Sequence, residues 1–131
     1  MNGTGTYVKH SSFGDSGTTG RKLAVDFYGG NCRIGGGSPW TKDASKADLT
    51  LNAYARLLAK RHAIDSGKTA YVQISCCIGR KAIKIDTYGP DMQLVSTKEG
   101  TFDRQAIVDA CGLNGPVFAA ICKKGLPYYV T

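Results

Sequence analysis

A chain of 131 residues with 42% hydrophobic and 21% charged residues is long enough for one domain with a modest core, and too apolar for a disordered segment. Its 17 Lys and Arg against 10 Asp and Glu leave a net charge of +7, which favours an anionic partner such as phosphate or nucleotide. No apolar run approaches the roughly 18–20 residues of a membrane span, and the opening residues lack the basic start and apolar stretch of a signal peptide. A cytoplasmic protein without membrane association is therefore expected. The five cysteines (Cys32, Cys76, Cys77, Cys111 and Cys122) are odd in number and lack metal-ligand spacing, which predicts reduced and mostly buried thiols.

Residues 6–10 predict a short strand and residues 11–20 a polar, Gly-rich turn. Residues 22–28 predict a strand with Leu23, Val25 and Phe27 on one face at period two. Residues 29–43 form a long loop without periodicity, a length often reserved for function. From residue 45 to about 66 the spacing of Ala47, Leu51, Tyr54, Leu58 and His62 predicts a helix. Asp43 or Ser45 is its expected N-cap, and Ser66-Gly67 its stop. Residues 70–78 and 81–88 predict two strands joined by a turn at Gly79-Arg80. A short strand at 93–96 and helices at 102–111 and 116–124 complete the order β-β-α-β-β-α-α. That order predicts one α+β domain over residues 1–131, a mostly antiparallel sheet covered by helices.

The chemistry concentrates between residues 14 and 48. Residues 14–22 read Gly-Asp-Ser-Gly-Thr-Thr-Gly-Arg-Lys and set Arg21 and Lys22 behind a turn of small residues, where backbone approaches a ligand closely. Arg presents a planar fork to phosphate oxygens and Lys a point charge; alone, the stretch also reads as a solvated turn. Gly35-Gly36-Gly37 lacks the following Gly-Lys-Ser/Thr of a Walker A loop. A Gly-rich loop entering a helix still offers N–H groups and a positive dipole end to an anion, although a plain surface loop reads the same way. Lys42 and Lys46, four apart at the helix entrance, repel each other and the dipole by a few tenths of a kcal/mol, roughly. An anion there reverses both signs. Asp48 either neutralises one cation or holds a hard divalent cation bridging phosphate oxygens. Arg56, Lys60, Arg61 and His62 are expected to form a solvated helix face. With Arg80, Lys81 and Lys84 they also suit a nucleic-acid patch, but no nucleic-acid motif accompanies them, so nucleic acid ranks last among partners. Cys76 and Cys77 are expected to alternate across a strand, one buried and one outward.

These stretches, with Val-Asp-Phe-Tyr-Gly-Gly at 25–30 and Lys-Asp-Ala-Ser-Lys-Ala-Asp at 42–48, resemble the C-terminal third of S-adenosylmethionine synthetase (methionine adenosyltransferase). The family pattern there is GD-x-GLTGRK-x-x-VDTYGG followed by HGGGAFSGKDP-x-KVDR. Residues 72–79, Val-Gln-Ile-Ser-Cys-Cys-Ile-Gly, are similar to the family's V-Q-x-S-Y-A-I-G strand. The resemblance implies ATP, methionine and S-adenosylmethionine as ligands. It implies that Arg21, Lys22 and Lys42 bind triphosphate, with Lys46 at the methionine carboxylate and phosphates. It further implies Asp15 on the methionine ammonium, Tyr7 stacked on adenine and Gly35, Gly36 and Gly37 lining the substrate site. Asp48 is implied as a magnesium ligand, with potassium a second candidate cation. The family's N-terminal portion, with its His-x-Asp pair, has no counterpart in this sequence, so a homo-oligomer or a complementary synthetase chain is expected to complete the site. A non-enzymatic module that binds or sequesters the nucleotide or S-adenosylmethionine, and an S-adenosylmethionine-degrading enzyme on the same scaffold, are the alternatives.

Overall fold

The computed structural model describes residues 8, 11–14, 16 and 20–125. After a short helical turn, α1 (Ser11–Gly14), come a π-helical turn (Ala24–Tyr28) and two 3-10 turns (Gly29–Asn31 and Pro39–Thr41). The long helix α2 (Ala47–Ser66) leads into the antiparallel strands β1 (Tyr71–Cys76), β2 (Ala82–Tyr88) and β3 (Leu94–Thr101), followed by α3 (Arg104–Ala110) and α4 (Val117–Lys124). The sheet runs in the order β1-β2-β3, which confirms the α+β fold. Among the described residues, no helix is long and apolar enough to cross a membrane.

Helix α2 organises the core. Leu49, Ala53 and Leu57 repeat every four residues and are buried, joined by Thr50 and Leu51. The stripe therefore lies beside the expected one, with Leu58 and His62 only partly buried. Complete burial of a Leu is worth about 1.5–3 kcal/mol, so this stripe dominates the docking of the helix. Thr50 is fully buried because its hydroxyl donates to the Lys46 carbonyl at 3.0 Å. Leu23, Ile107, Val108, Cys111, Leu113 and Ile121 close around Leu51, Ala53 and Leu57. Gly67 ends the helix in the left-handed region at φ 66°, as its place in the sequence predicts.

In β1–β2 register, Val72 faces Thr87, Ile74 faces Ile85 and Cys76 faces Ile83. Val72 and Ile83 are buried, and Ile74 packs against the core. The opposite face carries Gln73 across from Asp86. Asp86 is only 6% exposed, with its carboxylate accepting from Thr97 Oγ1 at 2.6 Å and paired with Lys84 Nζ at 3.1 Å. The hairpin turn centres on Ile78-Gly79, one residue before the expected Gly79-Arg80, with the Arg80 N–H donating to the Cys77 carbonyl at 3.0 Å. β3 extends well beyond the expected 93–96, because Thr97 to Thr101 continue the backbone ladder with β2 although they carry no apolar alternation. Asp103 caps α3 by accepting from the Gln105 and Ala106 N–H groups.

Three expectations are corrected. Residues 24–28 form a π-helical turn rather than part of a strand, with the Val25 and Asp26 N–H groups donating to the Lys22 carbonyl. Helical winding separates the alternating residues: Leu23 is buried, while Val25 and Phe27 are exposed. The local hydrogen bonds satisfy donors that a strand would have to satisfy across a ladder. Cys76 and Cys77 are both exposed, because β1 ends at Cys76 and Cys77 lies beyond it, and Cys32 is intermediate; among the cysteines whose side chains are described, Cys111, facing the helical core, meets the expectation of burial. Residues 6–10, apart from Val8, lie outside the described residues.

Hydrogen bonding from Thr97, followed by the Lys84 ammonium, holds the Asp86 carboxyl below the ordinary aspartate range. A depressed folded-state pKa stabilises the fold above the unfolded value, about 3.9 for Asp. That contribution is lost as pH falls through the folded value. Urea denaturation midpoints should therefore drop below about pH 4, and Asp86→Asn, which keeps the Thr97 hydrogen bond, should flatten that drop.

Candidate functional site

The loop before α2 is shaped by two anchored residues. Pro39 is completely buried, and the Lys42 N–H closes its turn onto the Pro39 carbonyl at 3.2 Å. Trp40 packs partly against the core. Asp43 Oδ1 then accepts from the Ser45 N–H at 2.7 Å, and the Lys46 N–H donates to the Asp43 carbonyl at 3.1 Å. The N-cap of α2 is thus Lys46, without a side-chain cap, rather than Asp43 or Ser45. Asp43 instead secures the turn one step earlier. The Ser45 hydrogen bonds hold its carboxyl below the ordinary range, with the Lys46 and Arg104 charges adding to the effect.

This winding brings several expected site residues together. Lys42 Nζ pairs with Asp48 Oδ2 at 2.7 Å and donates to the Ser38 carbonyl at 3.2 Å. Lys22 Nζ donates to the Gly36 carbonyl. Gly37 lies directly against Asp48, and a Cβ added there would overlap the carboxylate, whereas Gly35 and Gly36 have open space. Lys22, Lys42, Asp48 and the triglycine loop therefore form one cluster. Arg21 and Lys46 flank it as exposed residues, Lys46 at the helix entrance. Tyr7 and Asp15 lie outside the described residues.

Beside the cluster is a cavity of about 590 Å³ between α2, β1 and the 28–35 segment, reached by Gly35 and Asp48 and walled by Tyr28, Arg56, Tyr71 and Gln73 among others. Tyr71 Oη accepts from the Arg33 N–H at 3.0 Å and donates to the Arg33 carbonyl at 3.3 Å, which ties this segment to the edge of β1. Burial raises the pKa of both phenols, opposed at Tyr28 by the Arg56 charge and at Tyr71 by the Arg33 hydrogen bond. Arg56 is half-buried at the cavity wall, which corrects its reading as part of a solvated face. Its burial, like the convergence of Tyr28 and Tyr71 from 43 residues apart (71 − 28), carries no local sequence signal. Partial desolvation raises the Cys76 thiol pKa, with Cys77 and Asp48 adding to the shift.

Among the described residues, no group of three or more His, Cys, Asp or Glu side chains is placed to hold a metal ion. Asp48 is a single carboxylate, and its side chain is 40% exposed. It fits a magnesium ion only as one ligand, with phosphate oxygens and water supplying the rest, the usual manner of magnesium at polyphosphates.

The fold and site define an α+β domain that gathers lysines around a glycine-rich loop at a helix entrance. The family described as S-adenosylmethionine synthetase, C-terminal domain, matches residues 10–126. The S-adenosylmethionine synthase of Acholeplasma laidlawii is 38% identical over 136 residues, covering 95% of this chain and 35% of the relative. That of Deinococcus deserti is 36% identical, covering 95% of this chain and 34% of the relative. That of Streptococcus thermophilus is 37% identical, covering 90% and 32%. No solved structure matches the chain. The chain belongs to the S-adenosylmethionine synthetase C-terminal domain family and spans about a third of the length of these relatives.

Gly37→Ala should destabilise the domain only modestly, by at most about 1 kcal/mol, because the atoms it displaces are the end of the exposed Asp48 side chain and the cost is loss of its pairing with Lys42. Gly36→Ala, with open space around it, should have a much smaller effect in the same thermal denaturation measurement.

Proposed function

We propose that this chain supplies the triphosphate-binding part of a methionine adenosyltransferase site, handling ATP, methionine and S-adenosylmethionine at an interface with another chain. The observation that supports this most directly is the convergence of Lys22 and Lys42 on the triglycine loop, next to Asp48. The reaction needs no protein nucleophile. The methionine sulfur donates an electron pair to C5′ of ATP as the C5′–O bond breaks, and that bonding pair leaves with the triphosphate. Catalysis of such a step rests on aligning the reactants and stabilising the departing polyanion. Arg21, Lys22, Lys42 and Lys46 are the residues for the second task, and Gly35, Gly36 and Gly37 allow close approach of backbone. Asp15 and Tyr7 are assigned to the methionine ammonium and the adenine ring by resemblance alone. Asp48 would hold magnesium, which supplies charge neutralisation at the phosphates when bound; potassium is a second candidate. The setting is cytoplasmic.

Charge reversal at Lys42 (Lys42→Glu) should weaken binding of inorganic triphosphate at least about tenfold by calorimetry, the scale of one lost charge-assisted contact. Lys60→Glu, about three turns further along α2 than Asp48, should change it little. Equal and small effects at both positions would reduce the site to diffuse surface charge.

Because the chain spans about a third of its relatives' length, we assign formation of S-adenosylmethionine to this domain together with the remaining portion that those relatives carry. The purified chain should bind triphosphate yet release little S-adenosylmethionine from ATP and methionine, with product appearing on addition of that portion. Ligand binding that no added portion converts into turnover would favour the non-enzymatic binding module.

A further inference from the structure

The two lysines central to the triphosphate reading are already engaged by oxygens of the chain itself. Lys22 donates to the Gly36 carbonyl, and Lys42 donates to the Ser38 carbonyl while pairing with Asp48. The two accepting carbonyls flank Gly37, whose lack of a side chain lets the Asp48 carboxylate lie against the same loop. One carboxylate therefore holds the cation and abuts the backbone of the loop that the cation also grips. A polyanion reaching Lys42 has to compete with that carboxylate, since one ammonium offers three donors and at least one points at Asp48.

We propose that Asp48 is an intrachain competitor for Lys42, so that occupancy of the Asp48 carboxylate by a divalent cation frees Lys42 for phosphate. The inference rests on the triphosphate reading and adds its regulation: cation and polyphosphate bind cooperatively because each relieves the Lys42–Asp48 pair. The pair is suited to switching. Its side chains are 31% and 40% exposed, and a pair so exposed is weak enough to exchange partners. A second charge, Lys46, lies within the same short stretch to receive the incoming anion.

The test uses the full chain and its Asp48→Asn variant, with inorganic triphosphate as the probe. In chelator, Asp48→Asn should tighten triphosphate binding about fivefold, the scale of an exposed ion pair, and the tightening that magnesium should bring to the parent chain should disappear. Removing a negative charge would also help an anion bind through space, so the same substitution is made in a Lys42→Met background. There the tightening by Asp48→Asn should vanish, the signature of a coupled pair. Trp40, the one tryptophan of the sequence, provides a fluorescence signal for these titrations. Equal tightening in both backgrounds overturns the competition. So does triphosphate binding that Asp48→Asn leaves equal or weaker in chelator while Lys42→Glu still abolishes it, and in that case the triphosphate site itself stands. Failure of triphosphate to bind either chain removes both readings.

Discussion

Burial of Leu49, Ala53 and Leu57 along α2 is the constraint on which the rest of the molecule depends. These side chains set the rotation of the helix, which in turn sets the direction of Asp48, the residue just before the stripe begins. β1 and α3 both pack against α2, so the sheet and the C-terminal helices take their positions from the same face. Pro39 and Trp40 fasten the preceding loop to this frame. The helix entrance is consequently a rigid corner with a glycine-rich strip laid against it. A change in the stripe would therefore be felt at Lys42 even though no stripe residue contacts a phosphate.

Electrostatics at that corner run against the helix. Lys46 stands at the N-cap, where a cation is disfavoured, and Asp48 in the first turn offsets it. Lys42 bonds to both Asp48 and the Ser38 carbonyl, so the local charge is partly neutralised within the chain. The half-exposed pair contributes little to stability. Its interest lies in what it leaves poised: cations held near an open loop in a chain of net charge +7. Asp43 and Asp86 work differently, since their depressed pKa values come first from hydrogen bonds of Ser45 and Thr97.

The cavity beside β1 gives the cluster a second wall. Its depth comes from segments far apart in sequence, tied by the Tyr71–Arg33 hydrogen bonds. The match to the S-adenosylmethionine synthetase C-terminal domain family, over residues 10–126, spans both the cluster and this cavity. The relatives are about three times as long as this chain.

Much of the local structure was legible from sequence. The period of α2, the Gly67 stop and the pairing of two strands across a turn containing Gly79 follow from side-chain spacing and from the backbone freedom of glycine, which act between near neighbours. The chemistry of the site was legible as well, since Lys22, the triglycine, Lys42 and Asp48 carry their charges and their missing Cβ atoms wherever they are placed. Tertiary structure decided the remainder. Residues 24–28 alternate like a strand but wind into a helical turn, because a strand needs a paired neighbour and its own sequence cannot provide one. The polar half of β3 exists through its ladder with β2. The contact of Gly37 with Asp48, the bond from Lys22 to the Gly36 carbonyl and the burial of Arg56 depend on distances between segments that only the packing of α2 fixes.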